Sequence, residues 1–495
     1  MIQPSFEEFR KLARRGNLIA LRSEMPSDLE TPVSAFLKLE SGEASAFLLE
    51  SAEQEERIGR YSFLGFHPES VLTARKGRIY LKQNRRLLRL PTKDDLLDMM
   101  RKTLSTYRLV NPEGLPNFAG GFVGFLNYEN VGAFERLSIR EKKGFDLEEG
   151  VFFLVKDFLL FDHYRKTLSA ISLCEISGRS PAQLRKVYQE SCRKLTRLEA
   201  KLKRPVSLKM TAKQNGAFRF HSNLTRVEFK KKVQRIKEYI RAGDCIQVVF
   251  SQRFDLGKVR NDFKIYRALR SINPSPYMFY FRHGRLRLIG SSPELLVKKV
   301  GRTAEVRPIA GTRPRGKTSA EDLRLEENLK RSPKETAEHL MLVDLGRNDL
   351  GRVCKFNTIR VSDFARVERY SHVMHLVSSV AGQLRPGKDA FDLLKATFPA
   401  GTVTGAPKIR AMEIIDELEP EKRGPYAGSL GYFSFNQDMD MCITIRTVVV
   451  MENQAYVQAG AGIVYDSQAE REYQETINKA RALLQAVHGS KGRNF

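Results

Sequence analysis

Four glutamates mark the first place where this chain could do chemistry. Ser332-Pro-Lys-Glu335 opens a helix: Ser332 suits the N-cap, Pro333 the first turn and Glu335 the capping-box position. Glu338 follows one turn later, aligned with Met341 and Leu345. A carboxylate aligned with an apolar face points inward, and a buried carboxylate needs a partner, often a cation. A second helix repeats the theme. Ser467 can cap it with Glu470 as box partner, and Glu472 and Glu475 then share a face at i, i+3 spacing. Two such pairs could hold a hard cation, and Mg²⁺ suits one or two direct carboxylates plus waters. Helix capping and solvation alone would use the same residues.

Other polar groups interrupt apolar runs. Arg446 lies in Cys442-Ile-Thr-Ile-Arg-Thr-Val-Val-Val450, where strand alternation puts it on one face with Cys442, Thr444 and Val448. A guanidinium there suits a carboxylate or a phosphate. In Gln458-Ala-Gly-Ala-Gly-Ile463, glycines at 460 and 462 would let an anion reach backbone N–H groups, although tight sheet packing would need them too. The loop Pro399-Ala-Gly-Thr-Val-Thr-Gly-Ala-Pro-Lys408 carries two hydroxyls ahead of a helix, and no Walker A pattern. His372 and His375 allow a metal pair, a single catalytic imidazole or a core histidine, and no zinc-type spacing surrounds them.

The elements that must position these groups are legible in outline. Residues 47–49, 71–73 and 151–161 read as strands, and the glycine-dense run 119–124 as a close backbone approach inside one. A basic helix is expected over 181–202, a linker over 205–216, and a helix capped by Thr225 through Ala242. Residues 429–435, 441–450 and 455–465 read as a three-stranded antiparallel meander. A final helix is expected over 469–487 and a frayed tail over 488–495. Meanders flanked by helices argue for an α+β fold.

Composition narrows the class. With 495 residues, 41% hydrophobic and 29% charged, the chain is neither disordered nor a membrane bundle. Five widely spaced cysteines without a CxxC pair, and an N-terminus with no apolar core, predict a soluble cytoplasmic protein with reduced thiols. The net charge of +26 is concentrated: residues 181–241 hold 18 Lys or Arg against 4 Glu. Without interleaved aromatics or zinc-finger spacing, this stretch reads as a solvated helix face rather than a nucleic-acid site.

Taken in order, a series of stretches resembles the chorismate-utilising enzymes, and within them the anthranilate synthase component I branch. They are Leu48-Leu-Glu-Ser51, Asn273-Pro-Ser-Pro-Tyr-Met-Phe279, Gly290-Ser-Ser-Pro-Glu294 and Arg307-Pro-Ile-Ala-Gly-Thr-Arg-Pro-Arg-Gly316. They continue through Glu338-His-Leu-Met-Leu-Val-Asp-Leu-Gly-Arg-Asn-Asp349, His372-Val-Met-His375, Gly401-Thr-Val-Thr-Gly-Ala-Pro407, Gly431-Tyr-Phe433, Gln458-Ala-Gly-Ala-Gly462 and Glu475-Thr-Ile-Asn-Lys-Ala480. The resemblance implies two large antiparallel sheets packed face to face with helices outside. It divides the chain into an N-terminal region, 1–210, with tryptophan-binding elements, and a chorismate-binding region, 211–495.

The same resemblance implies conversion of chorismate and ammonia to anthranilate and pyruvate. Glu338 and Glu475 then match the direct Mg²⁺ ligands, and Glu335 and Glu472 the carboxylates acting through water. Gly460, Ala461 and Gly462 match the groups holding the ring carboxylate. Tyr426 and Arg446 match the clamp on the enolpyruvyl carboxylate, with Gly311 and Thr312 lining the pocket. Glu294 matches the general acid, His375 the group needed for pyruvate elimination, and Thr402 a residue orienting substrate. Aminodeoxychorismate synthases carry a lysine nucleophile where this chain has Ala310, and water-using relatives a lysine base where it has Gln247. Ser51, Pro276, Tyr277 and Met278 match the tryptophan site that gives feedback inhibition, with Cys442, Leu430 and Tyr432 as expected neighbours. No cysteine sits in the Gly-x-Cys-x-Gly turn of a glutaminase, so a separate glutamine amidotransferase subunit, component II, is the expected partner.

Overall fold

The computed structural model describes residues 2–40, 42–51, 59–84, 86–176, 180–206, 220–369 and 373–488. Most of the expected linker, the end of the tail and His372 lie outside them. Two antiparallel sheets of 13 and 12 strands form the centre, with helices outside, the α+β arrangement expected from the sequence. Both sheets draw strands from either side of residue 210. In the first, Ser45–Glu50 pairs with Tyr277–His283. In the second, Gly121–Leu126 pairs with Ser429–Ser434.

The sheets meet through aromatic side chains. Phe281 of the first stacks on Phe153 of the second at 4.5 Å between ring centroids, and Phe125 meets it edge-on at 5.5 Å. Along the same strand, Met278 and Tyr280 turn outward. Tyr280 packs edge-on against Phe36 and Phe263, which come from helices Pro32–Leu39 and Asp262–Ile272. A strand buried on both faces has no polar side to show, so its sequence runs apolar without alternation.

That property misleads the reading of two segments. Residues 151–161 are not one strand. Gly150–Val155 belongs to the second sheet and Asp157–Asp162 to the first, and the chain changes sheets at Lys156, whose ammonium meets Glu175 at 2.8 Å. The C-terminal meander is likewise two hairpins in two sheets. Ser429–Ser434 pairs with Met439–Ile443 in the second, and Thr447–Met451 with Gln454–Ile463 in the first. The chain crosses between them through Thr444, Ile445 and Arg446. Arg446 has φ of 50°, so it does not follow the strand alternation with Cys442, Thr444 and Val448.

Local signals of other kinds hold. A Cβ on Gly124 would lie 1.9 Å from the Val151 carbonyl, and one on Gly121 2.2 Å from that of Phe433, the close approach expected there. Thr225 caps Arg226–Arg241 with Glu228 closing the box, and helices Pro181–Leu202 and Ala469–His488 form as expected. The basic helix Arg226–Arg241 is braced inside the fold: Arg226 and Lys230 meet Glu470, Lys232 the Leu418 carbonyl and Lys237 that of Ser467. All five cysteines are free thiols, and among the described residues no helix is long and apolar enough to cross a membrane.

Candidate active site

Helix Pro333–Gly351 starts at Ser332, whose hydroxyl accepts from the Glu335 N–H at 3.5 Å. Glu335 does not return the bond as a capping box would. It turns to Arg313, 3.0 Å away. His339, Leu342, Val343, Gly346 and Leu350 form the buried stripe of this helix, and Glu338 stands at its border, half-buried, accepting from Gln247 Nε2 at 3.1 Å. On helix Ala469–His488, Glu470 is drawn off to Arg226 and Lys230 instead of closing a box. Glu472 is buried, and Glu475 pairs with Lys479 at 2.6 Å. Burial pushes Glu338 and Glu472 above the usual carboxylate range. Glu335 adds repulsion on the first and Glu475 on the second, while Lys334 of one helix and Lys479 of the other pull on both. The two glutamate pairs therefore face each other.

Among the described residues no three His, Cys, Asp or Glu form a ready metal cage. The donors are instead two glutamate pairs from two helices, half-buried to buried, of which Glu338 and Glu472 are pushed up by burial and only partly offset by Lys334 and Lys479. That set fits a hard divalent cation taking few direct carboxylates and keeping water.

The opposite wall is strand Gln454–Ile463. Its neighbour Thr447–Met451 leaves it after Val457, while strand Gln247–Lys258 continues alongside. A Cβ on Gly460 would lie 2.7 Å from Tyr426 Oη, and one on Gly462 2.8 Å from Gln247 Nε2. Antiparallel pairing with Gln247–Lys258 occupies the N–H groups of alternate residues, so Gly460, Ala461 and Gly462 cannot all point theirs to the open side. Lys479 Nζ donates to the Gly460 carbonyl at 3.0 Å. Burial pushes the Tyr426 phenol up to about 12 and the Arg446 guanidinium down; Tyr426 and Glu475 partly offset the latter. Arg446 also donates to the Lys479 carbonyl.

The third side is built on irregular backbone. Strand Ile309–Pro314 bulges between Ala310 and Arg313. Gly311, at φ 64°, points its carbonyl at His375 Nδ1, 2.8 Å away. A carbonyl only accepts, so Nδ1 carries the proton and Nε2 is the basic nitrogen. The exposed Thr312 hydroxyl lies 3.2 Å from the same Nδ1. Burial lowers the His375 pKa, with Arg446 and Lys479 adding to it and the Gly311 carbonyl and Glu368 opposing, which favours the neutral ring. Glu294 is enclosed, and burial pushes its carboxyl up to about 7 against the pull of Thr402 and Lys479. Thr402 lies in the short 3-10 turn Gly401–Val403, which packs on Leu345 of the first helix; its buried hydroxyl faces the Glu294 carboxyl and has no closer partner.

These neighbours close a ring. Glu294 meets Thr402 and Lys479; Lys479 meets Glu475 and Gly460; Gly460 meets Tyr426, and Tyr426 Arg446. Arg446 influences His375, which meets Gly311 and Thr312; Gly311 touches Glu335, and Glu335 lies by Glu338. Gln247 completes the circuit between Glu338 and Gly462. Glu472 and Ala461 flank it. The residues predicted for catalysis, metal and substrate thus come together. Lys479 links Glu294, Glu475 and Gly460 in this ring, yet in sequence it stands in the run Glu475–Ala480 with nothing to mark it.

Ser51, Pro276, Tyr277 and Met278 gather elsewhere. Tyr277 donates to Asp440 at 3.0 Å, and Cys442 and Tyr432 border its ring. Met278 lies opposite Glu50, and Leu430 opposite Cys442. Ser51 follows Glu50, and its hydroxyl is buried without a hydrogen bond. Glu50 is held by Tyr266 and by Arg270 at 3.3 Å. Glu50 was within reach of the sequence as Ser51's neighbour, whereas nothing local marks Asp440.

Comparison with known proteins agrees with this geometry. The model of the chorismate binding enzyme family matches residues 44–485. Anthranilate synthase component 1 of Synechocystis sp. is 46% identical over 98% of this chain and 99% of its own length, and that of Aquifex aeolicus 46% over 98% and 97%. The crystal structure of anthranilate synthase component I from Streptococcus pneumoniae superposes with a TM-score of 0.77 at 36% identity, covering 93% of this chain and 99% of that one. The menaquinone-specific isochorismate synthase MenF from Escherichia coli, at 20% identity and a TM-score of 0.70 over 96% and 99%, shares the fold. The chain belongs to the chorismate-binding enzyme family, in its anthranilate synthase component 1 branch.

Proposed function

We propose that this chain converts chorismate and ammonia to anthranilate, pyruvate and water in the cytoplasm, the first step of tryptophan biosynthesis. The observation that carries the reading is Glu294, an enclosed carboxyl with a pKa of about 7, on the same ring as a neutral Gln247. A leaving ring hydroxyl needs a proton from an acid that still holds one near neutral pH. Ammonia brings its own lone pair and needs no lysine base, so Gln247 and Ala310 suit it better than water or a covalent amine.

Each residue then has a task. Tyr426 and Arg446 hold the enolpyruvyl carboxylate, and alternate N–H groups of Gly460, Ala461 and Gly462 take the ring carboxylate. Glu294 gives its proton to the departing hydroxyl, which leaves as water. His375 serves the second stage, in which pyruvate leaves and the ring becomes aromatic; its neutral form offers Nε2 as base. Thr402 orients substrate beside Glu294, and Gly311 and Thr312 fix the imidazole. Glu338 and Glu475 would hold Mg²⁺ directly, with Glu335 and Glu472 acting through water; bound there, the ion neutralises the substrate's ring carboxylate. Ammonia comes from glutamine through a separate amidotransferase subunit, component II. Tryptophan binds at Ser51, Pro276, Tyr277 and Met278 and inhibits, the 1–210 region supplying Ser51 and 211–495 the rest.

The test uses purified chain with chorismate, Mg²⁺ and ammonium, following anthranilate fluorescence with and without tryptophan. Signal that needs Mg²⁺ and falls with tryptophan is expected. Isochorismate or an amino intermediate in its place would move the function within the family, and intact chorismate would overturn it.

A further inference from the structure

The general acid and the carboxylate clamp stand on two chain crossings that run side by side. Strand Leu286–Ser292 of the first sheet passes through Pro293 and Glu294 into Leu295–Val300 of the second. Beside it, Met439–Ile443 of the second sheet passes through Arg446 into Thr447–Met451 of the first. Ladder pairing holds the strands up to Gly290 opposite Thr447, and resumes at Leu295 opposite Cys442. Across the gap, Ser291 N–H donates to the Arg446 carbonyl at 3.1 Å and Ile443 N–H to the Glu294 carbonyl at 3.1 Å. The Ser292 hydroxyl donates to the Ile443 carbonyl at 2.6 Å and lies 3.4 Å from the Glu294 N–H. Among the described residues it makes the one side-chain bond between the crossings.

Ser292 also borders the second cluster. It is fully buried, pairs in register with Tyr277, and lies beside the Cys442 thiol. One hydroxyl therefore touches the backbone of Glu294, the crossing that carries Arg446, and the side chains around Tyr277 that would wall the proposed tryptophan pocket. A ligand that spreads Tyr277 from Cys442 must move Ser292, and Ser292 cannot move without shifting the Ile443 and Glu294 backbone it is tied to.

We propose that Ser292 is a positioning residue that sets Glu294 against Arg446 and transmits occupation of the Tyr277–Cys442 pocket to them. This rests on the reading of that pocket as the tryptophan site. The test is Ser292→Ala, with Ser292→Cys as a same-sized variant whose thiol donates weakly. In S292A, kcat for anthranilate should fall about tenfold while KM for chorismate stays within about threefold, because bound substrate is held by other groups. Tryptophan should still bind, with a calorimetric Kd within about threefold, yet leave about a third or more of the activity at saturation, since coupling and affinity are separate quantities. S292C should fall between S292A and the wild type, and it carries the same measurements if S292A does not fold. Wild-type kcat and complete inhibition in S292A, or in S292C where that variant carries the measurements, would overturn the proposal. So would a tryptophan Kd that rises in step with the loss of inhibition, which would make Ser292 a pocket residue only. A wild-type chain that makes no anthranilate, or makes it without tryptophan inhibition, would overturn the functional reading itself.

Discussion

The catalytic ring and the Tyr277 pocket both hold carboxyls that burial pushes up, Glu338 and Glu472 in the first and Asp440 and Glu50 in the second, but they differ in how those groups are paired. In the pocket the groups largely satisfy one another: Tyr277 donates to Asp440, and Lys298 approaches the same carboxylate at 3.5 Å. Of its described residues named above, Ser51 alone keeps a buried hydroxyl without a bond. In the ring, Glu338 and Glu472 are pushed up by burial and each by the glutamate of its own pair, Glu335 and Glu475, and two glycines leave room where side chains would stand. The ring is assembled at an electrostatic cost that the proposed cation and charged substrate would relieve. The pocket is nearly complete before any ligand arrives. Binding to the first completes the protein's own interactions, whereas binding to the second must disturb them.

The sharpest way to break this contrast is Glu338→Gln. If the ring is strained by its own charge, a neutral amide should lower anthranilate formation about 1,000-fold, roughly 4 kcal/mol of transition-state stabilisation, and yet raise Tm. The paired experiment is Asp440→Ala, which strips Tyr277 of its acceptor and should lower stability by about 1–3 kcal/mol. Thermal unfolding of both, beside steady-state rates, checks the pair. A Tm that drops in E338Q would mean that the ring is not strained.

Gly460→Ala comes next. Its methyl would lie 2.7 Å from Tyr426 Oη and 3.0 Å from the Phe250 carbonyl, and the carbonyl cannot swing away. Displacing Tyr426 by a fraction of an ångström should cost about 100-fold in kcat/KM for chorismate. Tryptophan affinity, measured by calorimetry, should not change.

Glu294 gives a pH test. Its carboxyl is pushed from 4.5 up to about 7, so the protonated, active form is lost as pH rises and kcat/KM should decline above about pH 7. Stability follows the same sign. The folded chain holds a proton that the unfolded chain has already lost, so this group's contribution is complete below 4.5 and disappears as pH rises through 7. A difference of 2.5 units corresponds to about 3 kcal/mol. Glu294→Gln should remove the activity and flatten stability between pH 5 and 8. A wild-type rate that is level from pH 6 to 9 would rule out Glu294 as the acid.

Part of the ring is legible because its chemistry is local, while Glu294, Gln247, Tyr426, Gly311 and Thr312 follow only from the family resemblance. Glutamates three apart on a helix, glycines two apart on a strand and a capped helix start are visible without knowing what they face. The crossings were not. Residues 151–161 and 441–450 read as single strands because strands covered on both faces lose their alternation, and periodicity is the signal that would have shown the break. Arg446 was recognised as unusual but put on the wrong face, since its left-handed backbone leaves no mark in residue type. Glu470 was assigned to a cap and pairs with Arg226 instead, because a long-range ion pair has no local spacing. Lys479 sat in a recognised run and was passed over because a lysine among glutamates looks like an ordinary i, i+4 pair.

The smallest expected effect sharpens the other side of the contrast. Ser51→Ala removes the one hydroxyl of the pocket that has no internal partner. Nothing in the folded chain depends on that bond, so Tm should stay constant or rise slightly. The uninhibited rate should stay within about twofold, because Ser51 touches no member of the catalytic ring. A ligand that uses the hydroxyl would lose one hydrogen bond, worth about 1 kcal/mol, and tryptophan should bind about fivefold more weakly by calorimetry. Inhibition at saturating tryptophan should remain complete, which separates Ser51 from Ser292: loss at the first lowers affinity, and loss at the second lowers coupling. If S51A bound tryptophan as tightly as the wild type, the orphaned hydroxyl would be an accident of packing, and the pocket would have no unfilled bond to offer.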